Sequence, residues 1–288
     1  QALNTILPKF KEKVQTIYID PPFNTGKDFD YVDRFQDSSW LSLISNRIEI
    51  AKDLVKKQGG IFLHLDSNAN FYGRIILQRY FNENFRNEII WHYDIGARSK
   101  ETFGTKHDTI LWHSKSEQWL FNASEILEPF KSGMTQWRYT KGGQKGKEIP
   151  KGKIPSDVWS IALNAMSSEH IGFETQKPES LLQRIILSSS NRNDLVMDFF
   201  LGSGTTTAVA HKLGRRWIGV EMGEHFYTVV LPRMKKVLAY DKSGISKEVQ
   251  EYQGGGFFKY YELEQYEESL ANCKYEDGDL FNSPSKTP

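Results

Sequence analysis

The segment "DLVMDFFLGSGTTTAVAHKLG", residues 194–214, decides the fold class of this chain. Its opening apolar run, 194–200, predicts a buried strand that ends near Asp198. Small residues follow at Gly202, Ser203 and Gly204, and the rest of the segment has a helical pattern. A strand, a glycine turn and a helix in this order are typical of an α/β protein, in which the helix N-terminus offers free N–H groups to an anion.

Strands and helices alternate on both sides of this segment. The pattern predicts strands at 16–20, 60–66, 87–93, 108–114 and 216–222, helices at 38–57, 69–82, 177–190 and 224–240, and one more strand within 254–270. This alternation predicts an α/β fold with a mostly parallel central sheet and helices on both faces.

The strand after the glycine turn ends in an acid, Glu221. A carboxylate at this position suits ribose hydroxyls, as in dinucleotide-binding folds. The turn lacks the dinucleotide fingerprint, because Gly204 is followed by three threonines. A methionine carboxylate with an adenosine therefore fits better than a pyrophosphate, although a plain tight turn would show the same glycines.

The stretch "TIYIDPPFNTG", 16–26, carries the second candidate site. Pro21 and Pro22 cannot continue a strand ladder, so the predicted strand stops at Asp20. Ligands bind at the carboxyl ends of strands in open α/β sheets. Asp20 and the carbonyl of Pro21 can accept the two N–H bonds of an aromatic amine such as that of adenine, while Phe23 stacks on the ring. A chance turn is the alternative interpretation.

Between the two sites, residues 117–168 show no sustained period, which predicts an insert with basic loops. Within 131–153, seven basic residues face one acid, Glu148, for a local charge of +6. The basic residues are Lys131, Arg138, Lys141, Lys145, Lys147, Lys151 and Lys153. Lysine and arginine bind phosphates, so the insert is a candidate nucleic-acid contact.

The bulk composition excludes other classes of protein. The 288 residues carry a formal charge of +1 and a single cysteine, so an internal disulfide is excluded and a reducing compartment is expected. No apolar run approaches the roughly 18 residues of a membrane span, and no signal-peptide pattern opens the chain. No Cys/His spacing typical of zinc occurs, so we expect no metal and interpret His64, His92 and His113 as structural.

Three motifs and their order resemble the β class of DNA adenine-N6 methyltransferases. The chain has "DPPF" at 20–23, a variable region, "TQKP" at 175–178 and then "DFFLGSGTT" at 198–206. The longer strings "DPPFNTG", "SSWLSL", "GGIFLHLD" and "GGGFFKYYEL" further resemble modification (Mod) subunits of type III restriction-modification systems. The resemblance runs from about Ile17 to Leu270 and implies a Rossmann-like S-adenosylmethionine-dependent methyltransferase fold.

The resemblance also implies roles for individual residues. The catalytic pocket would be formed by Asp20, Pro21, Pro22 and Phe23. The cofactor would be bound by Asp198, Phe200, Gly202, Gly204, Thr205, Glu221, Lys177 and Pro178, with Asp66 as a weaker candidate at the same edge. DNA would be bound by Arg138, Lys141, Lys145, Lys147, Lys151 and Lys153. The implied division is a catalytic half at 1–116, a target-recognition region at 117–168, a cofactor-binding half at 169–270 and a disordered tail at 271–288.

The implied activity is methyl transfer from S-adenosylmethionine to N6 of a flipped adenine in duplex DNA, within a restriction-modification system. A cytosine-N4 methyltransferase is the alternative, although those enzymes more often carry Ser in place of Asp20; a catalytically silent DNA-binding component is another. Expected partners are double-stranded DNA, a second copy of the chain and a restriction subunit, in the bacterial cytoplasm and away from membranes. Type III modification subunits are usually longer than 288 residues, so the chain is either a core of such a protein or a compact solitary enzyme.

Overall fold

The structure is a computed structural model that describes residues 1–24, 26, 33, 35–94, 100–130, 141–143, 147, 151–163, 167–264 and 270–272. The predicted DNA contacts Arg138 and Lys145 lie outside these residues, as does 273–288 of the expected tail. Leu3–Gly256 form one compact unit, and the residues from Phe257 onward belong to another. No helix among the described residues combines the length and apolarity that a membrane span requires.

A seven-stranded sheet in the order β5-β3-β4-β2-β1-β6-β7 forms the centre of the first unit. Its strands are β1 Val14–Ile19, β2 Val55–Leu65, β3 Phe85–His92, β4 His107–Ser114, β5 Val158–Ser160, β6 Leu195–Asp198 and β7 Arg216–Gly219. β4 runs antiparallel to β2 and β3, while the other four pairings are parallel. The prediction of a mostly parallel α/β sheet is confirmed.

Helices cover both faces of the sheet. They are α1 Ala2–Phe10, α2 Asp37–Leu54, α3 Asn70–Phe81, α4 Glu179–Ser189, α5 Thr205–Lys212 and α6 Leu231–Leu238. Alternate residues of β1 serve two separate cores: Ile17 lies in a cluster with α2 residues such as Ile44, whereas Tyr18 lies in a cluster with α4 residues such as Ile185. The continuous apolar run of β1 reflects this burial on both faces.

Three elements differ from the sequence predictions. The helix predicted at 38–57 ends at Leu54, because Val55 already pairs with Val14 as the first residue of β2. A side chain at Gly60 would place its Cβ 2.7 Å from the carbonyl oxygen of His113, so this glycine allows the close approach of β2 and β4. β5 falls inside the segment that shows no period, and residues 254–264 form no strand.

Candidate active site

The sheet topology brings the ends of β1 and β6 side by side. The two strands are parallel neighbours, with Thr16 paired to Val196 and Ile17 to Met197. The next strand along the chain, β2, lies on the other side of β1, so the strand order reverses between β1 and β6. Such a reversal is where open α/β sheets form a ligand crevice. Asp20 and the glycine turn after Asp198 therefore meet at one edge.

Lys177 links the three motifs across this edge. Its Nζ donates a hydrogen bond to Asp20 Oδ2 at 2.5 Å and lies 5.4 Å from the centroid of the Phe23 ring. Its carbonyl oxygen accepts a hydrogen bond from Thr205 Oγ1 at 3.2 Å. The side chains of Lys177 and Asp20 are only 12% and 18% exposed, so the ion pair is largely shielded from water.

The other carboxylate oxygen of Asp20, Oδ1, is buried and has no hydrogen-bond partner in the described part of the chain. His64 Nδ1 is 4.0 Å away from this oxygen. The segment that follows Asp20 is held in place by α2, because Trp40 Nε1 donates to the carbonyl oxygen of Pro22 at 2.6 Å. Asp20 thus presents one buried oxygen beside Pro21 and Phe23.

A buried chain of hydrogen bonds crosses β1, β2 and β4 near this segment. Tyr18 Oη lies 2.7 Å from His64 Nδ1, His64 Nε2 lies 3.1 Å from Asp108 Oδ2, and Tyr93 donates its hydroxyl to Asp108 Oδ1 at 2.9 Å. Burial raises the pKa of Asp108, but the hydrogen bond and charge of His64 outweigh it, so this pKa lies below its usual value. These contacts tie Tyr18 of β1, His64 of β2 and Asp108 of β4 together.

The glycine turn leaves open space in front of its backbone. Gly202 and Gly204 have φ of 53° and 79°, a left-handed conformation that favours glycine. A Cβ built on Gly202 would meet only Phe173 Cε1, at 3.8 Å. Gly204 is the residue before α5, whose first N–H groups face the turn. The predicted cofactor loop has the shape of a cradle for a ligand.

Asp198 is buried and hydrogen-bonded within its own turn. Its Oδ2 accepts from Thr206 Oγ1 at 2.6 Å and its Oδ1 from the Phe200 N–H at 3.0 Å. Burial, together with the charges of Asp20 and Glu221, raises the pKa of Asp198 to about 7 against these two hydrogen bonds. The carboxyl group therefore stabilises the turn that forms the cradle.

Glu221 is held by three backbone N–H groups. Oε2 accepts from Gly202 at 2.7 Å, while Oε1 accepts from Met222 at 2.8 Å and from Gly223 at 2.9 Å. The first of these bonds ties the end of β7 to the glycine turn after β6. The predicted ribose-binding carboxylate therefore borders the same space as Gly202.

The remaining candidates are spread more widely. Pro178 is buried as the residue before α4. Asp66 uses Oδ1 for the N–H groups of Asn68 and Ala69, and burial raises its pKa despite these bonds. The predicted DNA contacts that are described are all exposed: Lys141, Lys147, Lys151 and Lys153. Their roles stay predictions.

Sequence reasoning missed two groups at this edge. His64 is buried and hydrogen-bonded at both nitrogens, as expected of a structural histidine, but its place beside Asp20 was not predicted. Ile19 pairs with Leu63, so the residues that follow each of them in the chain are neighbours. Phe173 borders the glycine turn and packs against His225, with the two ring centroids 5.1 Å apart. Knowledge of the pairing register of β1 and β2 would have placed His64 beside Asp20, but this register cannot be read from a single sequence.

Comparison with known proteins agrees with this geometry. The sequence profile of a DNA methylase family matches residues 14–231. The chain is 28% identical to the probable type III restriction-modification enzyme HindVI Mod subunit of Haemophilus influenzae, over 93% of this chain, but spans only about half (53%) of that relative's length. It is 31% identical to the DNA adenine methyltransferase YhdJ of Escherichia coli, over 90% of this chain and 88% of YhdJ.

Solved structures show the same fold. The PvuII DNA methyltransferase, which is cytosine-N4-specific, matches with a TM-score of 0.60 at 16% identity, over 88% of each chain. The M1.HpyAVI–SAM complex matches with a TM-score of 0.54 at 21% identity, over 81% of this chain and 96% of that one. With the profile match over most of its length, the chain belongs to the N6/N4 family of DNA methylases.

Proposed function

We propose that this chain transfers a methyl group from S-adenosylmethionine to N6 of a flipped adenine in duplex DNA. The observation that carries the proposal is the Asp20 carboxylate, which has Oδ2 bound to Lys177 and a buried Oδ1 with no partner in the described part of the chain. Asp20 follows β1 at the same sheet edge at which the glycine turn follows β6. A substrate amine and a methyl donor can therefore meet there.

The pocket suits an amine that is part of an aromatic ring. The lone pair of adenine N6 is delocalised into the ring, which makes the amine a poor nucleophile. Asp20 Oδ1 and the carbonyl of Pro21 would accept its two N–H bonds and favour a tetrahedral nitrogen. The Pro22 carbonyl is not available for this role, because Trp40 occupies it. Phe23 would stack on the base, which must leave the duplex to reach the pocket.

The residues on the other side of the edge fit S-adenosylmethionine. The open face of Gly202, the N-terminus of α5 and the Glu221 carboxylate supply a backbone cradle, N–H donors and an acceptor. When bound there, the cofactor supplies an activated methyl group, so no covalent enzyme intermediate is needed. The chain's own contribution is alignment: Lys177 joins the catalytic segment to Thr205 of the cradle.

Segment 117–168 would supply target recognition, with its exposed lysines on DNA phosphates. The HindVI relative, a probable Mod subunit, supports a place in a restriction-modification system, with a restriction subunit or a second copy of the chain as partner. A bacterial cytoplasmic location follows from that setting. β5 contributes to the sheet from within this segment, so recognition would be built directly onto the catalytic domain.

Transfer of tritium from labelled S-adenosylmethionine to duplex DNA, RNA and a protein mixture tests the substrate class. We expect label in duplex DNA for the unmodified protein and none for Asp20→Ala, while both bind S-adenosylmethionine equally in calorimetry. Normal transfer by Asp20→Ala would contradict the pocket, and label confined to RNA or protein would contradict the substrate.

A further inference from the structure

His225 has two ring nitrogens without a hydrogen bond. The residue follows β7 closely and is 8% exposed. In the described part of the chain, neither Nδ1 nor Nε2 has a hydrogen-bond partner. An unsatisfied polar group in a buried position costs free energy, and native proteins rarely leave one without a role. The imidazole of His64, by contrast, uses both nitrogens.

The ring lies next to the carboxylate that we assign to the ribose. His225 Nε2 is 3.4 Å from Glu221 Oε2, close in space but without hydrogen-bond geometry. The backbone of Gly223 holds the ring in place, because a Cβ there would lie 2.5 Å from His225 Nδ1. On its other side the ring packs against Phe173, which also faces the open space in front of Gly202.

The backbone contacts of Glu221 leave it little capacity for the two hydroxyls of a ribose. An ionised carboxylate offers about four lone-pair positions. Two on Oε1 accept from Met222 and Gly223, and one on Oε2 accepts from Gly202. One position on Oε2 remains, on the oxygen that lies beside His225. A second hydroxyl therefore needs another partner, and the neighbouring polar group is the imidazole of His225, whose Nε2 lies 3.4 Å from Oε2.

We propose that His225 is a further cofactor-binding residue, which hydrogen-bonds one ribose hydroxyl of S-adenosylmethionine while Glu221 accepts the other. This inference rests on the proposed function, since it takes the cofactor from it. Phe173 packs against the imidazole and limits its movement. Glu221 and His225 would thus each bind one of the two hydroxyls, and the backbone at 202 and 223 would hold both side chains in place.

Calorimetric titration of S-adenosylhomocysteine and its 2′-deoxy and 3′-deoxy analogues tests the proposal, because these ligands require no turnover. For His225→Ala we expect about tenfold weaker binding of S-adenosylhomocysteine, the loss of one hydrogen bond. His225→Ala should leave the affinity unchanged for the analogue that lacks the hydroxyl bound by His225. A double-mutant cycle gives this result when the two changed groups contact each other. His225→Asn keeps a polar side chain and should retain part of the affinity.

His113→Gln is the matched control. His113 is also buried with an unpartnered Nδ1, but it pairs with Ile61 near the opposite end of the sheet, so its substitution should leave all three affinities unchanged. Equal binding of S-adenosylhomocysteine by the unmodified protein and His225→Ala would overturn the inference. An equal loss of affinity for all three ligands would also overturn it, because such a loss would show that His225 acts only through packing. Absence of binding by the unmodified protein would instead contradict the proposed function itself.

Discussion

At the scale of single residues, the ion pair of Asp20 and Lys177 determines which carboxylate oxygen faces the substrate. Lys177 occupies Oδ2, so Oδ1 is the oxygen left for a base. Sequence motifs predicted both residues but placed Lys177 beside the cofactor. Its contact with Asp20 depends on how the loop before α4 folds over the end of β1, and no local pattern in the sequence specifies that approach.

Lys177→Met tests the ion pair. The Met side chain keeps much of the length but loses the charge, so Asp20 can rotate and the methylation rate should fall about 10²-fold. Single-turnover kinetics with saturating DNA and cofactor measures it. Lys56→Met is the control, because Lys56 also pairs with an aspartate, Asp194, at 2.6 Å but lies away from the site. The methylation rate of this variant should be unchanged. An unchanged rate in Lys177→Met would contradict the positioning role.

The raised pKa of Asp198 predicts a pH dependence of stability. Burial raises this pKa from 3.8 to about 7, so between these values the folded state binds more protons than the unfolded state. The resulting contribution to the free energy of unfolding is full below pH 3.8 and is lost as the pH rises to about 7. Asp198→Asn removes it. Urea titrations from pH 4 to 8 should therefore show the unmodified protein losing stability relative to Asp198→Asn up to about pH 7 and not beyond. A difference independent of pH would contradict the shift.

At the scale of elements, the alternation of strands and helices was predictable, whereas the boundaries that depend on pairing were not. The apolar runs of β1 and β6 and the glycine turn before α5 follow from their own residues. The end of α2 depends on the pairing of Val14 with Val55. β5 has only three residues and joins the sheet through β3, so its sequence carries too little pattern to be recognised.

Gly60→Ala tests the close approach of β2 and β4. An added Cβ would lie 2.7 Å from the His113 carbonyl oxygen, so β2 and β4 must separate. We expect a loss of about 1–3 kcal/mol in the free energy of unfolding, as for other overpacked sites. Urea denaturation measures it, with Gly143→Ala as control, because a Cβ there meets nothing within 4 Å. Equal stability of the two variants would show that β2 and β4 do not need the close approach.

At the scale of the whole molecule, the proposed substrate, DNA, is a polyanion, whereas the net charge of the chain is only +1. Local charge therefore has to bring DNA to the site, and the basic segment around Lys151 and Lys153 is the candidate. Its charge was predictable from composition. Its contacts with DNA bases could not be predicted, because they depend on where side chains lie in a segment whose sequence shows no helical or strand pattern.

The double substitution Lys151→Gln and Lys153→Gln should weaken DNA binding and lower the slope of log K against log salt by about 1 to 2 units, since each phosphate contact contributes about 0.9. Fluorescence anisotropy at several salt concentrations measures the slope. Lys235→Gln with Lys236→Gln is the matched control, because these two lysines are also adjacent and exposed but lie on α6. Equal slopes for both double variants would exclude the segment from the DNA contact.

If Asp20 Oδ1 receives the amine of adenine, methylation must occur at N6 and must depend on this carboxylate. Mass spectrometry of nucleosides tests both points on plasmid DNA incubated with S-adenosylmethionine and either the unmodified protein or Asp20→Ala. We expect N6-methyladenine with the unmodified protein and no methylated nucleoside with the variant. N4-methylcytosine as the product, or N6-methyladenine from both proteins, would show that Asp20 does not have this role.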